Sequence, residues 1–298
     1  MLAACLESVK DCLDLAVIND NSNGKAEANL EAVKNSALYK AGKIKLLTSE
    51  FTGFAGARNL CLDYIKSLDN PEAAWILKLD ADEVHTPALT PILRELLPQL
   101  PPELKNLDAY WLLFVQSFEH FARLERRHNW IFRFNPDLKW EGGVHEKILG
   151  ISGETLALPY VFFHYGYVGK TSEILAKWQL YQRLGDPNFS GLDKVDDKTI
   201  VDKDSKQQIP LKISHPQAAR EEIARLKTEQ AAAYERFQDL IRREAKNLSA
   251  KLNRGLAGLN YKQLLFFRGV QLYQRLWKQK EIRPVLKKIM AACRPYGF

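Results

Sequence analysis

The residues best placed for chemistry are two carboxylates one residue apart, Asp80 and Asp82, at the end of the apolar run Trp75-Ile-Leu-Lys-Leu79. A strand of that composition delivers side chains to its carboxyl end, where open α/β sheets bind ligands. Hard cations such as Mg²⁺ or Mn²⁺ take oxygen ligands and fill the remaining positions with water or substrate phosphate. The pair therefore suits a divalent metal held together with a diphosphate. The competing structural reading is that Asp82 or Glu83 caps the turn opening the Thr86–Leu100 region.

Four further segments carry candidate groups. Asp20-Asn21-Ser22 follows a short strand, where carboxylate and amide can bond a base edge or ribose hydroxyls, although a plain strand-to-helix turn favours the same residues. Phe54-Ala-Gly-Ala-Arg58-Asn59 opens a helix, so Arg58 could meet phosphate or base, or simply form a surface salt bridge. In Trp140-Glu141-Gly142-Gly143-Val144-His145-Glu146, a Gly-Gly turn permits close backbone approach beside an acid and a histidine that could act as a base. His164 lies in the aromatic run Val161-Phe-Phe-His-Tyr-Gly-Tyr167, where a lone histidine is more often a satisfied core residue than a ligand.

The elements that must position these groups alternate between strand and helix. Leu15–Ile18, Lys43–Leu47 and Trp75–Leu79 read as strands, with later ones at Ala109–Gln116 and Trp130–Phe134. Helical composition or spacing marks Lys25–Lys40, Ala55–Leu68 and Thr90–Leu100, the last closed by Pro101-Pro102. Such alternation predicts an α/β fold with a mostly parallel sheet flanked by helices. The pattern dissolves into Asp, Lys, Ser, Gly and Pro between Asp186 and Pro216, then turns helical again. That divides the chain into a domain over 1–185, a linker over 186–215 and a helical extension over 216–298.

Composition sets the outer bounds. With 298 residues, 46% hydrophobic and 27% charged, the chain reads as globular rather than disordered. The net charge of +7 is local: residues 245–298 hold twelve Lys/Arg against one acid, whereas the rest has a slight acidic excess. Those cations interleave with Leu264, Phe266, Phe267, Tyr273 and Trp277, a pattern that suits peripheral contact with an anionic membrane. The same pattern fits an aromatic face packed on the main domain with solvated lysines; nucleic acid is the less favoured partner. Cys5, Cys12, Cys61 and Cys293 show no metal-ligand spacing and are expected as reduced thiols in a cytoplasmic protein. No apolar run reaches the roughly 20 residues of a membrane span, and charged residues interrupt the first fifteen positions.

Taken as a set over roughly residues 4–170, these segments resemble family 2 glycosyltransferases with the GT-A (Rossmann-like) fold. The resemblance rests on N-D-N-S-N, F-A-G-A-R-N, W-I-L-K-L-D-A-D-E, W-I-F-R-F-N-P, W-E-G-G-V-H-E and H-Y-G-Y. It implies an inverting enzyme that uses a nucleotide-sugar donor and a divalent metal (Mn or Mg). The acceptor would be a glycan, a lipid-linked sugar or a protein, in surface polysaccharide or glycolipid synthesis at the inner face of the membrane. It further implies that Asp20, Asn21, Arg58 and Asp80 contact the nucleotide-sugar, that Asp82 and His164 ligate the metal, and that Glu146, with Glu141 second, is the catalytic base. The stretch Ser117–Asn129 would help select the acceptor.

Two departures stand out. Asn19 occupies a position where relatives often carry another acid, which would weaken nucleotide binding. The helix resembled by Leu2–Val9 follows a first central strand in the family, and that strand is missing here. An N-terminal truncation or a degenerate protein is therefore expected, with a gap at the centre of the sheet. Three alternatives remain. One is a haloacid-dehalogenase-type phosphohydrolase with Asp80 as nucleophile and Asp82 as acid. The others are a nucleotidyltransferase and an inactive membrane- or nucleic-acid-binding relative.

Overall fold

The computed structural model describes residues 1–186 (apart from 70, 72, 73 and 88), 209–211, 214–229, 235, 278, 280 and 282–293. The chain enters through α1 (Leu2–Val9), β1 (Ala16–Asp20), α2 (Glu27–Asn35), α3 (Ala37–Lys40), β2 (Ile44–Thr48) and α4 (Phe54–Lys66). It continues through β3 (Trp75–Leu77), β4 (Glu83–Val84), α5 (Leu89–Leu96), β5 (Leu104–Val115), β6 (His120–Phe121) and β7 (Arg123–Arg133). A small hairpin, β8 (Lys139–Glu141) with β9 (Lys147–Leu149), precedes β10 (Glu154–Tyr167) and α6 (Thr171–Arg183). The described remainder comprises β11 (Ile209–Pro210), α7 (Gln217–Glu229) and α8 (Arg283–Cys293).

The main sheet runs β3-β7-β5-β10-β4, and it is mixed rather than mostly parallel. Only β5 and β10 pair in parallel within it; β3 with β7, β7 with β5 and β4 with β10 are antiparallel. The cause is the short link from β5 to β7, which is too brief for a crossover and folds them as a hairpin. Much of Ser117–Asn129, the stretch expected to help select the acceptor, is therefore strand, since β7 begins at Arg123.

Period-two alternation then sorts the long strands onto two cores. Leu107, Ala109, Trp130, Leu156 and Phe162 join α5 residues Ile92, Leu93 and Leu96 on one face. Tyr110, Leu112, Phe114, Val161, Phe163 and Tyr165 pack on the other.

The sheet is interrupted, as expected. β1 and β2 form a separate parallel pair that shares no hydrogen bonds with β3, among the described residues. Every residue of β1 and β3 remains only half-buried, unlike the inner positions of β5. Helices span the break instead. Cys5 Sγ of α1 donates to the Asp80 carbonyl at 3.4 Å, and α4 rests on β1 while Asn59 Nδ2 donates to the Trp140 carbonyl at 2.9 Å.

Both described helices of the C-terminal region belong to these same cores. Ala219 and Ile223 of α7 pack with Phe118 and Tyr165, and Ile282, Val285 and Leu286 pack with the α5 leucines and Leu158. Lys288 reinforces the α8–α5 contact by donating to Glu95 at 2.6 Å. Among the described residues no helix is long and apolar enough to cross a membrane. Most of the expected basic-aromatic surface, including Lys246–Trp277, lies outside the described residues. Because Leu286 is fully buried, Leu286→Ala should cost about 2–5 kcal/mol of unfolding free energy in urea titrations. A loss under about 1 kcal/mol would show that α8 is not part of the core.

Candidate active site

Beyond β3 the chain turns at once, and the turn is closed by its own groups. The Glu83 N–H donates to the Asp80 carbonyl, and the Asp80 N–H donates to Glu83 Oε2, both at 3.0 Å. β4 then pairs with β10, setting Glu83 opposite His164, while the Tyr165 N–H donates to the Asp82 carbonyl at 2.9 Å. Neither Asp82 nor Glu83 caps α5, which begins at Leu89. The turn is instead stitched to the long strand that carries His164.

Each aspartate meets two basic side chains. Asp80 accepts from Arg58 Nη2 at 2.5 Å and from Arg127 Nη2 at 2.6 Å, one on each carboxylate oxygen. Arg58 Nε also donates to Glu146, and Arg127 Nη2 stands 3.2 Å from Glu83 Oε1. Asp82 Oδ1 lies 3.2 Å from His164 Nε2, and its Oδ2 lies 3.4 Å from Lys177 Nζ. Lys177 reaches in from α6, donating to the Gly166 carbonyl at 3.1 Å and lying 4.7 Å from the Tyr167 ring centre. Arg58 rests over Trp140 and Arg127 over Trp111, at 5.1 and 4.7 Å.

The electrostatics follow from these contacts. Partial burial alone would raise both aspartates, but Arg58 and Arg127 hold Asp80, and His164 and Lys177 hold Asp82, well below the usual carboxylate range. Glu83 moves the other way: full burial and the neighbouring Asp80 charge push it up, with Arg127 only partly offsetting them. Burial would lower His164, yet the Asp82 carboxylate reverses that and raises it.

Asp82 and His164 are the residues at this turn that could hold a divalent cation. A Cβ placed on Gly166 would sit 2.6 Å from Asp82 Oδ2 and 2.9 Å from His164 Nε2, so the glycine keeps the space beside both groups clear. No group of three or more potential metal-binding His, Cys, Asp or Glu side chains occurs among the described residues. A carboxylate and an imidazole would leave the remaining positions of such an ion to water and phosphate oxygens.

The structure brings together Arg58, Asp80, Asp82, Glu146 and His164. Asp20 ends β1 and accepts from the Ser22 N–H at 3.0 Å, and half-buried Asn21 follows it. Asn19 exchanges side-chain bonds with Ser49. Glu141 stands apart, half-exposed on the β8–β9 hairpin and paired with Lys139 at 2.8 Å. His145 adopts a left-handed φ of 63° and faces Asp186 at 3.0 Å.

Sequence reasoning missed Arg127, Glu83 and Lys177 as members of the constellation. Arg127 had one usable signal, its place three residues before the strand signature beginning at Trp130. Lys177 had none, because it sits in an ordinary amphipathic helix.

The curled mixed sheet flanked by helices is consistent with the GT-A fold. Residues 1–148 match the family model described as Glycosyl transferase family 2, and through that segment the chain belongs to the family. No curated protein matches the chain.

Beneath the acid turn lies His85, its N–H donating to Ser8 Oγ at 3.0 Å and its ring stacked against Trp130 and Tyr160. Burial, then the nearby Arg127 charge, lowers its pKa to about 3. A histidine lowered below its unfolded value of about 6.5 is neutral when folded, so acid favours unfolding as pH falls from 6.5 towards 3. Between pH 7 and 5 the wild type should lose about 2 kcal/mol more stability than His85→Phe. Equal losses in denaturant titrations would show that His85 takes up its proton without resisting it.

Proposed function

We propose that the protein is an inverting glycosyltransferase whose Asp80–Asp82 turn receives the diphosphate and sugar of a nucleotide-sugar donor, with Glu146 as catalytic base. The observation supporting this most directly is that Arg58 bridges Asp80 and Glu146. One side chain thereby ties the donor-side acid to the base at a fixed separation. Asp20 and Asn21, at the carboxyl end of β1, would address the nucleoside.

In the transfer, Glu146 takes the proton from the acceptor's nucleophilic oxygen. That oxygen bonds to the anomeric carbon as the carbon–phosphate oxygen bond breaks, and the nucleoside diphosphate departs with the electron pair. Asp82 and His164 would hold the divalent cation, which neutralises charge growing on the leaving diphosphate. Arg58, Arg127 and Lys177 add fixed positive charge on the same side, and the diphosphate offers them acceptors in place of the carboxylates. A phosphohydrolase would need Asp80 as an attacking nucleophile, a role poorly served when both its oxygens are held by guanidinium groups.

The acceptor we favour is a glycan or lipid-linked sugar of the cell surface, met at the inner face of the membrane with the help of residues 245–298. Glu146→Gln keeps the shape of the base but removes its proton affinity. With the donor that supports turnover, kcat measured by nucleoside diphosphate release should fall about 10²- to 10⁴-fold, while donor affinity stays near wild type. A kcat within about threefold of wild type would assign the base elsewhere.

A further inference from the structure

Trp111 lies on β5, the central strand of the main sheet, and no chemistry above assigns it a part. Its register makes it a hub. It pairs with Glu125 on β7 and Phe162 on β10, so Arg127 and His164, two residues further along those strands, are its diagonal neighbours on the same face. The residue directly opposite Arg127 is Ala109, which is small enough to let the guanidinium lean towards Trp111. The contacts follow: the indole stacks on His164 with ring centres 4.4 Å apart and 28° between planes, and carries Arg127 at 4.7 Å. Its own orientation is fixed by Nε1–H donating to Glu125 Oε2 at 3.3 Å.

We propose that Trp111 is the positioning residue of the acid turn, one indole that aims Arg127 at Asp80 and His164 at Asp82 together. An aromatic face attracts a guanidinium and stacks on imidazole, so it orders both side chains without competing for either carboxylate. An aliphatic side chain of similar bulk would fill the space but leave both side chains free to turn. Donor-side and metal-side acids are then set by a single side chain that touches neither. This extends the transferase reading of the site, because the geometry so fixed is that of its proposed ligands.

The test compares Trp111→Leu with Trp111→Phe in the full chain, by crystal structure and by transfer kinetics. In Trp111→Leu, both the Arg127–Asp80 and His164–Asp82 separations should open beyond about 4 Å. In Trp111→Phe, which keeps a ring, both should persist. With an active donor, kcat/KM should drop about tenfold or more for Leu and stay within about threefold for Phe. Should Trp111→Leu fail to fold, Trp111→Met takes its place as a flexible side chain that fits irregular cores. Retention of both contacts in the aliphatic variant, loss of only one, or identical behaviour of the Phe and aliphatic variants would overturn the proposal. The crystallographic arm decides this even if no donor is turned over, an outcome that would count against the transferase reading alone.

Discussion

The arrangement depends on holding Asp80 and Asp82 ionised and close together, beside the buried Glu83, where water is partly excluded. Like charges at such separations repel, and burial penalises each of them further. The fold answers with partners from four separate elements: Arg58 on α4, Arg127 on β7, His164 on β10 and Lys177 on α6. Backbone hydrogen bonds shape the turn, and these side chains offset its charge. Glu83 shows what happens to the member least well matched, since its carboxyl is driven up while its neighbours are driven down.

The mixed sheet serves that constraint. A purely parallel arrangement would bring only strand ends to the site, whereas the β5–β7 hairpin lays Arg127 alongside the turn from the middle of a strand. The antiparallel β4–β10 pairing does the same for His164, placing it opposite Glu83 and within reach of Asp82. The break between β1 and β3 is tolerated because α1 and α4 hold both sides. It also leaves β1, with Asp20 at its end, on a two-stranded sheet of its own.

Much of this was legible in the sequence, for a definite reason. Asp80-Ala-Asp82 ends an apolar strand, Arg58 opens a helix, and Glu146 follows a Gly-Gly turn; each signal is local and each group arrives where its element ends. Alternation of strand and helix likewise exposed β1, β2, β3 and α4 to within a few residues. What was not legible depends on pairing between distant segments. The two-residue β4 is too short to carry a periodic signal, and the polar stretch Arg123–Asn129 lacks the apolar alternation that marks a strand. Lys177 enters the site through the packing of α6, which no spacing within that helix reveals.

The central claim is that the acid turn is a metal-assisted site for a nucleoside diphosphate. Thermal unfolding of the wild type and Asp82→Ala with a panel of nucleoside diphosphates, with and without Mn²⁺, tests it most directly. A ligand at about 100 times its dissociation constant should add about 2.7 kcal/mol of stability. The account predicts such a shift for at least one nucleotide, dependent on Mn²⁺ and lost in Asp82→Ala. No shift with any nucleotide in the folded wild type, or one unchanged by Asp82→Ala, would contradict it.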